Sequence, residues 1–176
     1  MRNNKIYIYN FLLHILIVLT FVGCNKKPSF KFDPTNEEII ENLRFVEEFM
    51  LSHRGSQRTN YFWDVENHLS INNLKIGRLS GDKLIIEGEV VSRIPINDQF
   101  DNYVETLIEL KKLGFKSAFK ERNSNNIFFT YLPDKNYNTE RDPKIIVTDQ
   151  EINSVINTDI YSILEESPPL YLIRRK

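Results

Sequence analysis

The chain has 176 residues, of which 41% are hydrophobic and 27% are charged, and this is the composition of an ordinary globular protein. Its 23 basic and 24 acidic side chains give a formal net charge of −1, which excludes a nucleic-acid binder that works by bulk neutralisation of phosphates. The chain also has no block of five like charges, which excludes a charged tail.

The first two dozen residues have the layout of a secretory signal. A basic start with Arg2 and Lys5 precedes an almost wholly apolar run, Ile6–Val22. The run ends in the letters FVGC, in which Cys24 is the only cysteine of the chain. This ending resembles the lipobox of bacterial lipoproteins, with phenylalanine at the position where leucine is usual.

The resemblance implies that residues 1–23 are removed as a signal peptide and that the thiol of Cys24 carries lipid, such as palmitate. Residues 24–32 are then a short tether, and residues 33–176 form a single domain. We therefore expect a membrane-anchored lipoprotein of the bacterial cell envelope that faces the periplasm or the cell exterior. Three other interpretations stay open on the residues alone: an uncleaved membrane anchor, a buried helix and an incorrect start site.

The domain begins with a pattern that predicts a helix over residues 36–53. Thr35 and Glu38 have the spacing of a capping box, in which each side chain bonds an amide at the start of the helix. Apolar residues then recur at helical spacing until Gly55, which supplies a C-terminal stop.

The following residues change to alternating and β-branched runs over residues 60–69, 71–79 and 83–94. Ser80-Gly81-Asp82 separates the last two runs and predicts a hairpin turn. This part of the chain therefore predicts two or three antiparallel strands.

The remaining elements are predicted from the same signals. A second helix begins at a cap on Asn97 or Asp98 and is closed by Gly114. A third helix runs from a capping box at Thr148 and Glu151 through residue 164 and is ended by Pro168-Pro169. Strands are predicted at 115–122, 126–132, 144–147 and 170–173, with a polar loop at 133–143. The sum is an α+β domain in which about three helices pack on one face of a mainly antiparallel sheet.

Part of this domain suggests a role. Residues 83–132 have the order strand, helix, strand, strand, with the segments KLIIEGEV, FDNYVETLIELKKLGF and NIFFTYL. In outline this resembles the small ferredoxin-like periplasmic module of pilus-assembly and type II secretion inner-membrane proteins. The resemblance implies a role in protein interaction.

The most site-like cluster of the sequence is Asp64, Glu66 and His68. Within a strand these residues alternate onto one face, and each step of two residues spans about 6.6–6.8 Å, which is too far for neighbouring carboxylates to share a metal ion without a bend. We therefore expect a solvated strand face. The alternative is a divalent-metal site that also uses Glu87 or Glu89 from a paired strand.

A second candidate is the loop that follows the first helix, where Arg54 and Arg58 flank a glycine and a serine. Two guanidinium groups on a flexible backbone are suited to clamp phosphate or carboxylate. The alternative is that Arg54 only complements the negative end of the helix dipole.

Aromatic residues form a third group, because 12% of the chain is aromatic and most of these rings must fill the core. Tyr137 lies in the polar loop, where it has little folding role, and we expect it to contact a glycan or a partner protein. The same applies to whichever of Tyr61 and Phe62 points out of the sheet.

The sequence contains none of the common catalytic motifs. It has no phosphate-binding glycine loop, no nucleophile elbow and no zinc-protease motif, so we expect no cofactor and no metal. We therefore expect a non-catalytic domain that binds another macromolecule, with the membrane at Cys24 and an envelope protein as partners. The rival is an envelope hydrolase that uses the carboxylates of Asp64 and Glu66.

Overall fold

The computed structural model describes residues 29–52, 60–64, 66–72, 74–86, 98–120, 126–132 and 142–176. Within them lie three helices, α1 (Glu37–Ser52), α2 (Asp98–Lys112) and α3 (Ile152–Val155). The strands of the same residues are β1 (Tyr61–Trp63), β2 (His68–Ile71), β3 (Leu74–Ser80), β4 (Lys83–Ile86), β5 (Phe115–Lys120), β6 (Ile127–Tyr131), β7 (Lys144–Val147), β8 (Tyr161–Ser167) and β9 (Leu170–Arg175). They form one antiparallel sheet in the order β4-β3-β2-β1-β5-β6-β7-β9-β8.

The predicted signal peptide and Cys24 lie outside the described residues. Among the residues that are described, no helix is both long enough and apolar enough to cross a membrane. Phe30 and Lys31, close to the start of the described residues, are fixed to the domain through their backbone amides. The amide of Phe30 donates to Glu165 Oε2 at 2.9 Å, and the amide of Lys31 donates to the hydroxyl of Tyr131 at 2.8 Å.

Helix α1 confirms the predicted helix over 36–53 but not its predicted cap. The amide of Glu38 donates to Asn36 Oδ1 at 2.9 Å, so Asn36 is the capping residue. Thr35 instead donates its hydroxyl to Asp33 Oδ1 at 2.7 Å. The predicted capping box is therefore wrong, and the predicted stop at Gly55 lies outside the described residues.

The region of residues 60–86 contains four strands, where two or three were predicted. The predicted strand over residues 60–69 is in fact two strands, β1 and β2, joined by a tight turn. Asn67 has a φ of 66°, which ends any continuous strand at that residue. The predicted hairpin turn at Gly81 is confirmed, since β3 ends at Ser80 and Gly81 has a φ of 61°.

Helix α2 and strands β5, β6 and β7 confirm the predictions for residues 98–147 where they are described. Gly114, with a φ of 101°, follows the last turn of α2 as predicted. The order β4, α2, β5, β6 is the strand, helix, strand, strand order expected from the sequence. Three other strands, β3, β2 and β1, lie between β4 and β5 in the sheet.

The predicted third helix is wrong beyond its first turn. Only Ile152–Val155 is helical, and Glu151 makes no side-chain capping bond. Tyr161–Ser167 is strand β8, which pairs along its length with β9 across a turn at Pro168-Pro169. The isoleucines of this region fit a helical spacing, but the long ladder with β9 decides the structure.

The prediction that all the helices pack on one face of the sheet is wrong. One core cluster joins α1 and α2 to the first face of the sheet, and its largest fully buried rings include Trp63, Tyr103 and Phe115. A second cluster lies on the opposite face, where Ile152 and Ile156, in and just after α3, pack on Phe128, Ile146, Tyr161, Tyr171 and Ile173. Among the described residues, the half made of β5–β9 is therefore packed on both faces, and the half made of β1–β4 on one.

Candidate functional site

Asp64 and Glu66 lie in the turn between β1 and β2, and His68 is the first residue of β2, so the three residues do not lie along one strand as predicted. Asp64 Oδ1 accepts hydrogen bonds from the amides of Glu66 and His68, both at 2.8 Å. Asp64 Oδ2 lies 3.0 Å from Nδ1 of the His68 ring, which places a proton on that nitrogen when the carboxylate is ionised. The carboxylate is therefore used to close the turn.

The same contacts set the ionisation of Asp64. Desolvation raises the pKa of Asp64, but the hydrogen bonds from the His68 amide, the His68 ring and the Glu66 amide outweigh it and hold the pKa below its usual value. Glu66 points outward, with its carboxylate 3.8 Å from the His68 ring and its side chain 72% exposed. Within the described part of the chain, no three His, Cys, Asp or Glu side chains converge as metal ligands would.

This arrangement predicts unequal effects of the two carboxylates on folding. Asp64→Ala should lower the free energy of unfolding by about 1.5 kcal/mol, because two backbone amides and the His68 ring lose their acceptor. Since the folded pKa of Asp64 lies below its ordinary value of 3.8, this stabilisation is present above pH 3.8 and is lost as the pH falls through the folded value. Glu66→Gln, the matched control, should change stability by no more than about 0.5 kcal/mol in urea unfolding. Equal effects of the two variants would contradict this role.

In strand β1, Phe62 and not Tyr61 points out of the sheet. Tyr61 and Trp63 are each 1% exposed and face the core, whereas Phe62 between them is 50% exposed. Lys111 lies over the Trp63 ring at 5.2 Å from its centre, at the end of α2. Phe62 is therefore the ring available to a partner, and Tyr61 is not.

Several predicted site residues cannot be placed. Cys24, Arg54, Arg58 and Tyr137 all lie outside the described residues, as do Glu87 and Glu89. The two interpretations of the Arg54 and Arg58 loop and the contact at Tyr137 are therefore not tested and stay predictions.

Exposed apolar side chains are concentrated on one half of the sheet. Five large apolar side chains of the described residues are exposed: Phe62, Leu74, Ile85, Ile86 and Ile160. The first four belong to β1, β3 and β4, on the half that is packed on one face only. We call the four strands β1–β4 the open half. Phe62 lies on the face away from the core, whereas Ile86 lies beside α2, and Ile85 and Ile86 face opposite sides of the sheet because they are adjacent in β4. Exposed apolar side chains concentrated in one part of a molecule are typical of a binding region.

The open half borders two depressions. One has a volume of about 400 Å³ beside the Phe62 ring, and its lining includes Asn60, Ser70 and Ser117. The other has a volume of about 410 Å³ and lies between strand β4 and helix α2. We call the second one the β4–α2 groove, and its lining residues are Asp82, Lys83, Leu84, Ile86, Phe100, Asp101, Val104, Glu105 and Ile108.

A buried charge cluster lies at the opposite half, where the sequence predicted the end of a polar loop. Asp142 is 1% exposed, and neither of its carboxylate oxygens has a hydrogen-bond partner among the described residues. Burial raises the pKa of Asp142, while the charges of Lys144, Lys116 and Arg174 act against that rise. Burial also lowers the pKa of Lys144. The cluster places one acid among cations of β5, β7 and β9, and among the described residues no second acid acts on it.

The sequence did not single out the β4–α2 groove. Leu84, Ile85 and Ile86 were assigned only to a strand, and the acidic residues of α2 only to a helix surface. The run of three apolar residues at the edge of a sheet is the signal that points to this surface.

Comparison of the chain with models of known protein families, with curated proteins and with solved structures finds no match.

Proposed function

We propose that this chain is a lipid-anchored protein of the bacterial cell envelope whose domain binds another macromolecule, an envelope protein, and catalyses no reaction. The observation that supports binding is that, of the five large apolar side chains exposed among the described residues, four lie on the open half. The turn at Asp64 supports the same choice over an envelope hydrolase, because its carboxylate is already engaged by two backbone amides.

The lipid anchor can be tested through Cys24, the only cysteine of the chain. Wild-type chain from cells grown with a labelled palmitate should carry the label, and Cys24→Ser should lose it and accumulate as the full-length precursor. An intact mass that shows an unmodified Cys24 in wild-type membranes would exclude the lipid anchor. Arg2→Gln is the matched control, since it changes the signal region but leaves the thiol in place.

A further inference from the structure

We propose that the β4–α2 groove binds an extended, basic and apolar segment of a partner protein, which adds to the sheet as a strand beside β4. This proposal rests on the proposed function, because it names where and how the bound macromolecule is held. The partner segment is recognised by its backbone, by apolar side chains at alternate positions and by lysine or arginine residues.

The backbone part of the proposal follows from the place of β4 in the sheet. Within the described residues β4 has a strand neighbour on one side only, and that neighbour is β3. In an antiparallel sheet, alternate residues of an edge strand direct their N–H and C=O groups away from the sheet. An extended segment that pairs with Lys83–Ile86 would satisfy these groups, as in other domains that bind peptides by strand addition.

The apolar part follows from the walls of the groove. Leu84 and Ile86 of β4 form one wall, and α2 contributes the other with Phe100, Val104 and Ile108. Ile86 is 53% exposed, so a strand placed beside it would remove apolar surface from water. Successive side chains of a strand point to opposite faces, so every second side chain of the added segment would enter the groove.

The preference for basic residues follows from the charges at the rim. Asp101 and Glu105 are exposed, lie one turn apart on α2 and make no ion pair within the described part of the chain. Asp82 is held by Lys112 at 3.2 Å, and Lys83 is the one cation in the lining. Like charges one helical turn apart repel each other, and a lysine or arginine of the bound segment would relieve that repulsion.

The test uses the full chain in detergent micelles and three fluorescent eight-residue peptides. The first peptide has threonine at every second position and valine and lysine in turn at the positions between, so that valine and lysine face the same side of the strand. The second has glutamate in place of lysine. The third is the first with proline at its two central, adjacent residues, one of which directs its N–H to β4 in either register. We expect the lysine peptide to bind at least tenfold more tightly than each of the others in fluorescence anisotropy. The glutamate side chains are repelled by Asp101 and Glu105, and proline lacks the N–H that pairing with β4 requires. The amide resonances of Lys83–Ile86 should shift on binding of the lysine peptide.

Surface variants locate the binding. Asp101→Lys combined with Glu105→Lys should weaken the lysine peptide at least tenfold and should strengthen the glutamate peptide. Glu41→Lys is the matched control, because Glu41 is an exposed glutamate on α1, and it should leave both affinities within twofold. All three positions are exposed, so the variants should keep the wild-type unfolding transition.

Several results would overturn the proposal. They are equal binding of the lysine and proline peptides, unchanged binding by the Asp101→Lys, Glu105→Lys variant, and no binding of the lysine peptide. A dimer of the full chain that Ile86→Asp dissociates would assign the groove to a second copy. If side chains of the open half cross-link to an envelope protein in cells but no peptide binds, the groove proposal fails while the proposed function stands. If they cross-link to nothing, the proposed function fails as well.

Discussion

Replacing Gly77 with alanine should lower the free energy of unfolding by about 3 kcal/mol, because an added methyl group has no space at this point of the sheet. Gly77 lies on β3 directly opposite Ile86 of β4. A methyl group on Gly77 would lie 2.9 Å from the Cα of Ile86 and nearer still to the carbonyl oxygen of Ile85. Both are backbone atoms, so β4 as a whole would have to move.

Urea unfolding of Gly77→Ala measures the loss of stability, and the affinity for the lysine peptide measures the effect on the β4–α2 groove. Gly77→Ala should also weaken that peptide, since β4 forms one wall of the β4–α2 groove. Gly81→Asn is the matched control. Gly81 has a φ of 61°, which Asn tolerates, and an added Cβ there meets no atom within 4 Å. Wild-type stability of Gly77→Ala would show that the two strands are not this close.

Replacing Glu47 with glutamine should remove most of the pH dependence of stability between pH 5 and pH 8. Glu47 is partly buried on α1, and Arg44 one turn before it is turned away to Asp149, with Nη2 at 2.7 and 2.8 Å from the two carboxylate oxygens. Burial raises the pKa of Glu47 from 4.5 to about 8, and the charge of Arg44 only partly opposes this rise.

The raised pKa of Glu47 makes the folded chain less stable as the pH rises. Between pH 4.5 and about 8 the folded chain keeps a proton on Glu47 that the unfolded chain has released. The stability from this group is therefore fully present below pH 4.5 and is lost as the pH rises through about 8. One pKa unit corresponds to about 1.4 kcal/mol of stability. Because solvent reaches part of Glu47, the effect is smaller than the full pKa shift would give, and we expect the free energy of unfolding to fall by about 2 kcal/mol.

Urea unfolding at a series of pH values from 5 to 9 measures this effect. Glu47→Gln should be more stable than wild type by about 2 kcal/mol at pH 8.5 and equal to it near pH 5. Glu41→Gln is the control, because Glu41 is an exposed glutamate on the same helix, whereas the charge of Glu48 itself raises the pKa of Glu47. A wild-type curve that is flat over this range would show that Glu47 ionises normally in the folded chain.

The elements that the sequence predicted well are those with strong local signals at their ends. Helix α2 begins at Asp98, where a start capped by Asn97 or Asp98 was predicted, and Gly114 follows its last turn as predicted. Strands β5 and β6 flank a run of asparagine and serine that marked a turn. These signals act over a few residues and need no knowledge of the rest of the fold.

The errors arose where distant residues decide the structure. Ile152, Ile156 and Ile160 fit a helix, but the pairing of β8 with β9 overrides that spacing after the first turn. The turn at Asp64 is a different case, because an aspartate followed three residues later by Asn67 is a local turn signal. That signal was available and was outweighed by the apolar alternation around it.

The candidate binding surface was only partly predictable. The alternation along β1 placed Tyr61 and Phe62 on opposite faces, but only the packing of α1 and α2 decides which face is buried. The β4–α2 groove joins Leu84 to Glu105, residues that are distant in sequence and meet only through the fold.

The most direct test of the central claim, that the open half binds a macromolecule in the envelope, is photo-cross-linking in intact cells. A photoreactive phenylalanine at Phe62 or at Ile85 should give a discrete adduct of higher mass in the membrane fraction of cells that make the full chain. The same probe at Ile160, which is 39% exposed on the other half, should give none. Adducts at Ile160 as frequent as those at Phe62 and Ile85, or no adduct at any position, would contradict the claim.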